Sequence, residues 1–122
     1  LSGKVINGKA IGRTIQYPTA NLELTQDYKL VPKEGVYIVK AVLENKMTYG
    51  LTSIGTNPTV GGTIKTIETH FLDFNDDLYD KNLTIEFLSR IRDEETFGSI
   101  DALKNAIKRD ESYARNFIKN YE

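Results

Sequence analysis

Two hydrophobic periods divide this 122-residue chain, and the change between them fixes its architecture. Up to about Arg92, apolar side chains recur at every second position, the period of a half-buried strand. From Ser99 onward they follow helical spacing through Ile100, Leu103, Ile107, Ala114, Phe117, Ile118 and Tyr121. A helix with one apolar stripe must bury it against another element, and here the only other element is sheet. The pattern therefore predicts a mainly β domain: a small antiparallel barrel with a C-terminal α-helix packed outside it.

Strands are expected over 4–6, 22–24, 35–43, 47–54, 66–74 and 83–91. In the third, Tyr37, Val39, Ala41 and Leu43 share one face and Lys40 takes the other. Glu44-Asn45-Lys46 reads as a turn that makes the third and fourth strands a hairpin, with Met47, Tyr49 and Leu51 facing inward. Residues 55–62 read as a loop holding Asn57-Pro58-Thr59 and Gly61-Gly62. Leu83, Ile85, Phe87 and Ile91 alternate with Thr84, Glu86, Leu88 and Arg90, giving the clearest strand. Ser99 is the expected helix N-cap and Asp101 complements the dipole in the first turn. Asp110-Glu111-Ser112 is expected to break the helix in two.

The length suits one domain, 1–122, large enough to bury a core without staples. Cysteine is absent, which removes disulfides and thiolate metal sites and fits a cytoplasmic setting. The one histidine, His70, argues against a multi-histidine centre. With 16 basic and 17 acidic side chains, the net charge of -1 offers no field for nucleic acid. No apolar run is long enough to span a bilayer, so no membrane partner is expected. The start at Leu1 reads as a module cut from a longer protein.

The chemistry concentrates in Gly12-Arg13-Thr14-Ile15-Gln16-Tyr17-Pro18-Thr19-Ala20-Asn21. Glycine lets backbone N–H groups approach phosphate oxygens, and Arg13 can bind a phosphate bidentately. Thr19 and Asn21 offer neutral oxygens suited to Mg²⁺, a hard cation. There is no P-loop consensus. The plain alternative is a Gly-Arg turn followed by a proline-stiffened connection.

A second candidate is Glu68, a carboxylate inside a strand where β propensity disfavours one. Ile67, Thr69 and Phe71 share one face of that strand, and Glu68, His70 and Leu72 share the other. Glu68 is either a general base or a solvent-facing charge paired across strands. His70, on the same face, either orients Glu68 or is a structural group. Arg92 could bind a polar ligand edge and Phe97 could cover an aromatic ring; the bland reading is a charged strand end and a tucked loop aromatic.

Taken in order, Gly3-x-Val5-x-x-Gly8, Gly12-Arg13, Pro18-Thr19-Ala20-Asn21, Gly35-Val36-Tyr37, Ser53-Ile54-Gly55-Thr56-Asn57-Pro58-Thr59, Ile67-Glu68-Thr69-His70-Phe71-Leu72-Asp73-Phe74 and Arg90-Ile91-Arg92-Asp93-Glu94 resemble the riboflavin kinase family over nearly the whole chain. In particular they resemble the C-terminal kinase module of the bacterial bifunctional riboflavin kinase / FAD synthetase. The resemblance implies a six-stranded antiparallel Greek-key barrel with a C-terminal helix. It implies transfer of the ATP γ-phosphoryl group to the riboflavin 5′-hydroxyl, giving FMN and ADP, with Mg²⁺ as the metal. It further implies that Gly8, Gly12 and Arg13 line the ATP phosphate loop. Thr19 and Asn21 would hold metal and phosphate oxygens, Glu68 would be the base, and Arg92 and Phe97 would lie flavin-side. An N-terminal FMN adenylyltransferase module precedes this one in such bifunctional chains. Gln16 and Asp80 stand where the family usually has glycine. The competing expectation is a barrel without catalysis that binds a flavin nucleotide or single-stranded nucleic acid. A kinase-like barrel inactivated through Gln16 and Asp80 is the third.

Overall fold

Alternating side chains build β1 (Ser2–Ile6), β2 (Ala20–Leu24), β3 (Gly35–Leu43), β4 (Lys46–Thr59), β5 (Gly62–Phe71), β6 (Asn82–Thr84) and β7 (Glu86–Arg92), and the helical period builds α1 (Ile100–Tyr121). The structure is a computed structural model, and it describes residues 1–6, 20–24, 31–59, 61–73, 81–95 and 98–121. Its strands form one sheet in the order β6-β1-β2-β5-β4-β3-β7. Every pairing is antiparallel. Strand β2 lies beside β5 rather than β3, the return that defines a Greek key.

The two ends of that order, β6 and β7, are separated in sequence by Ile85 alone. The predicted single strand over 83–91 is therefore bent into two pieces, one pairing with β1 and the other with β3. Ile85 itself is held by Leu1, whose carbonyl accepts its N–H at 2.8 Å. Counting 82–92 as one bent strand gives the six expected strands. The sheet curls on itself, and among the described residues no ladder joins its two ends into a closed cylinder.

Curling gives two apolar layers. Inside lie Val5, Leu22, Tyr37, Val39, Ala41, Leu43, Ile54, Ile67, Phe71, Leu83 and Ile85. Outside, Val36, Ile38, Leu51 and Leu72 meet Ala114 of α1, flanked by Leu88 and Ile91 from the sheet and Phe117 and Ile118 from the helix. The inward face of β3 is as expected, but on its opposite face Val36 and Ile38 are buried too.

The hairpin differs from expectation in two ways. Glu44 and Asn45 both have positive φ, 51° and 65°, which is the tight two-residue turn favoured between antiparallel strands. It pairs Leu43 with Lys46 and Val42 with Met47, so Met47, Tyr49 and Leu51 point outward and Thr48, Thr52 and Ile54 inward. The supposed loop over 55–62 is mostly strand: β4 and β5 stay paired from Gly55↔Thr66 to Thr59↔Gly62. Among the described residues β3 accompanies β4 only as far as Ile54, so Pro58 falls where β5 is the one strand seen beside β4, as suits a residue without an N–H.

The helix begins as expected, with the Ser99 hydroxyl accepting the Ala102 N–H at 3.1 Å. It does not break at 110–112. Asp110 there turns its carboxylate inward to an arginine of β7, so it does not compete for the helix backbone.

Candidate active site

Register brings the candidate residues together. Across the sheet, Asn21 of β2 pairs with Glu68 of β5, Glu68 with Ser53 of β4, Ser53 with Val36 of β3, and Val36 with Arg92 of β7. Residues opposite each other share a face. Val36 packs beneath α1, so this transverse row lies on the helix-side face. The helix covers its Val36–Arg92 end. At the other end Ser53 and Glu68 are half-buried, with Glu68 Oε1 enclosed. A carboxylate so placed is desolvated on one side and reachable on the other, which suits a group that takes a proton from a bound hydroxyl.

A second carboxylate stands nearby. The segment after β7 folds back so that Ser53 Oγ donates to Glu94 Oε1 at 3.2 Å. The Glu94 carboxylate rests against Gly55, nearer than any β-carbon at that position would permit. Ser53 is thus the neighbour of Glu68 on one side and of Glu94 on the other. His70 shares the Glu68 face, opposite Leu51, and is half-buried.

The Arg92 guanidinium forks onto Asp110, with Nε 3.0 and 3.1 Å from the two carboxylate oxygens and Nη2 2.7 Å from Oδ2. These bonds raise the Arg92 pKa against the opposing effect of burial. Its Nη1 donates to the Asp93 carbonyl at 3.1 Å and lies 3.8 Å from Glu95. Arg90 secures the same segment from the exposed side, donating to Asp93 Oδ1 at 2.6 Å and to the Glu34 carbonyl at 2.7 Å.

Of the sequence candidates, Glu68 and Arg92 are therefore held in one row, three strands apart. Asn21 joins that row by its backbone. Gly8, Gly12, Arg13, Thr19 and Phe97 lie outside the described residues, as do Gln16 and Asp80. The sequence reading gave Ser53, Glu94 and Asp110 no role in the site. Asp110 carried a signal: it falls on the helix stripe, four residues from Ala106 and four from Ala114, where a charge needs a partner.

A small antiparallel Greek-key domain with a half-buried carboxylate opposite the end of a Pro-Thr-Ala-Asn run has the makings of a phosphotransferase that acts on an alcohol. The family model for riboflavin kinase, Flavokinase, matches residues 1–118, and the chain belongs to that family. It is 42% identical over 119 residues to the bifunctional riboflavin kinase/FMN adenylyltransferase of Escherichia coli (strain K12), covering 97% of this chain and 37% of that protein. It is 37% identical over 123 residues to the protein of the same description from Bacillus subtilis (strain 168), covering 98% and 39%. The chain thus spans less than two-fifths of the length of these curated relatives. Among solved structures, riboflavin kinase from Trypanosoma brucei matches with a TM-score of 0.67 and 28% identity, covering 98% of this chain and 78% of that one. A structure described as a macrolide-efflux protein from Streptococcus pneumoniae matches with a TM-score of 0.87 and 40% identity, covering 94% and 38%.

Proposed function

We propose that this chain transfers the γ-phosphoryl group of ATP to the 5′-hydroxyl of riboflavin, giving FMN and ADP, with Glu68 as the base. Membership of the riboflavin kinase family makes it a kinase domain. The observation that supports the site is the register pairing Asn21 with Glu68. It sets the end of the Pro-Thr-Ala-Asn run, assigned to metal and phosphate, directly across from the carboxylate assigned to the hydroxyl.

The chemistry follows from that placement. Phosphoryl transfer asks a protein mainly to position its reactants and to stabilise charge. A primary alcohol attacks well only as its proton finds an acceptor, and Glu68 is the acceptor on this face. Riboflavin kinases use ATP with a divalent metal, and Mg²⁺ is the ion proposed here. Hard oxygen donors suit it, and the amide oxygen of Asn21 and the hydroxyl of Thr19 would supply such donors. When bound, the ion neutralises charge that develops on the phosphate oxygens. Gly8, Gly12 and Arg13 are assigned to the ATP phosphates, and Arg92 and Phe97 to the flavin side.

The domain reading is a single kinase domain over 1–122. In the full protein we infer fusion to an N-terminal FMN adenylyltransferase module, as the relatives' descriptions suggest. FAD formation would belong to that module. No helix among the described residues is long and apolar enough to cross a membrane. A cytoplasmic setting fits the absence of cysteine.

Glu68→Gln tests the base. It keeps the shape and removes the proton acceptor, so kcat should fall by about 10²–10⁴ with riboflavin affinity nearly unchanged. Weakened riboflavin binding with kcat intact would remove Glu68 from that role.

A further inference from the structure

We propose that Asp110 is a positioning residue of the active site: through Arg92 it fixes the segment after β7 against the strand that neighbours Glu68. The inference rests on the kinase reading above and extends it to a helix residue that contacts none of the reacting groups.

Asp110 is only 5% exposed although it sits in the middle of a 22-residue helix. It is flanked along the buried stripe by Ala106 and Ala114, small residues that let α1 lie close on the sheet. A carboxylate buried there without a partner would be strongly unfavourable, and the Arg92 fork is its partner. Stability alone would be served as well by an apolar side chain in this stripe. The fork does something an apolar contact cannot, because it fixes the direction of the guanidinium.

That direction has a consequence one residue later. With Nε and Nη2 committed to Asp110, Nη1 is aimed at the carbonyl of Asp93. The chain leaving β7 is thereby turned back toward β4, where Glu94 meets Ser53 and the bare Cα of Gly55. Ser53 is the register neighbour of Glu68. An unbroken path of contacts thus runs from Asp110 through Arg92, Asp93, Glu94 and Ser53 to the strand position beside the base. In this proposal the acceptor substrate approaches Glu68 over Ser53, the end of the row that α1 leaves uncovered. Displacing the segment should therefore loosen riboflavin and leave ATP, assigned to the β2 side, untouched.

The test compares the wild-type chain with Asp110→Asn, Arg92→Lys and the double variant, each assayed well below its melting midpoint. Asparagine keeps the shape of Asp110 but offers one acceptor in place of the two-oxygen fork. Asp110→Asn should raise the riboflavin KM about tenfold, a small part of what misplacing a held group by an ångström can cost. The ATP KM should stay within about twofold. Arg92→Lys should do the same, and the double variant should add little, because both break one path. A folded Asp110→Asn protein with the wild-type riboflavin KM, or with both KM values raised alike, would overturn the proposal. If Asp110→Asn does not fold, Arg92→Lys is read by the same comparison. If the wild type makes no FMN, the kinase reading fails separately. Riboflavin affinity from flavin fluorescence then decides: weakened by Asp110→Asn, the proposal stands; unchanged, it falls.

Discussion

The placement of Glu68 depends on the register of β4 against β5, and a buried hydroxyl pair is positioned to hold it. Thr52 and Thr69 are register partners on the inner face, 0% and 1% exposed, with hydroxyl oxygens 2.7 Å apart. Their sequence neighbours Ser53 and Glu68 are partners on the outer face. A slip of one residue would exchange the faces and bury Glu68 in the barrel. Replacing either threonine with valine keeps the volume and leaves the other hydroxyl buried without this partner, at a cost of about 1–3 kcal/mol. Replacing both removes the mismatch and should be nearly neutral. Unfolding entropy of about 2 cal/mol/K per residue makes each kcal/mol worth about 4 °C here. Each single variant should therefore melt about 4–12 °C lower, and the double variant within about 4 °C of wild type. Thermal melts of all four proteins complete the cycle. Losses that simply add in the double variant would show that the two hydroxyls do not satisfy each other, and the reasoning would fail.

Other expectations are as direct. Gly35 has φ of 148°, and a β-carbon there would lie 2.7 Å from the Arg92 carbonyl oxygen, so Gly35→Ala should destabilise by about 1–3 kcal/mol in urea titrations; an unchanged midpoint would contradict the observed approach of β3 to β7. Hydrogen bonds from Arg115, at 3.0 Å to each oxygen, hold the Asp73 carboxyl below its ordinary value. A folded pKa below the unfolded one contributes stability above the unfolded value, about 3.8, which is lost as pH falls through the folded pKa. Wild type should thus exceed Asp73→Asn slightly at neutral pH, because the pair is solvent-screened, and the gap should close below about pH 4; a gap that persists in acid would refute this assignment.

Much of the fold was legible because period and chemistry agreed. Tyr37, Val39, Ala41 and Leu43 do face the inner core, and Ser99 does cap the helix. The errors about which face points inward have a common source in the helix. In β3 the outer face is buried as well at Val36 and Ile38, beneath α1, so hydrophobicity no longer marks the inside there. The same coverage by α1 drew Leu51 outward, and Thr52 went inward because its hydroxyl found Thr69 across the ladder. The turn reading contributed to the same error: Lys46 was counted in the turn, whereas Glu44 and Asn45 alone make it and Lys46 pairs with Leu43. The bend at Ile85 was invisible because alternation continues through it.

The site was legible in its types but not in its connections. Glu68 stood out as a charge within a strand, and the register sets it beside Asn21. Ser53 and Glu94 carried no such mark, since their meeting depends on a segment that folds back over Gly55. Asp110 was misread as a helix breaker. A polar residue within an apolar stripe signals a buried partner at least as often as a boundary, and here the partner is Arg92.

The central claim is that this chain carries riboflavin kinase chemistry within its own residues. Incubation of the chain with riboflavin, ATP and Mg²⁺, followed by separation of flavins and nucleotides, tests it most directly. FMN and ADP should form in equal amounts, dependent on the metal and nearly abolished by Glu68→Gln. Saturable quenching of flavin fluorescence with no FMN formed would contradict it and mark the domain as a flavin-binding barrel.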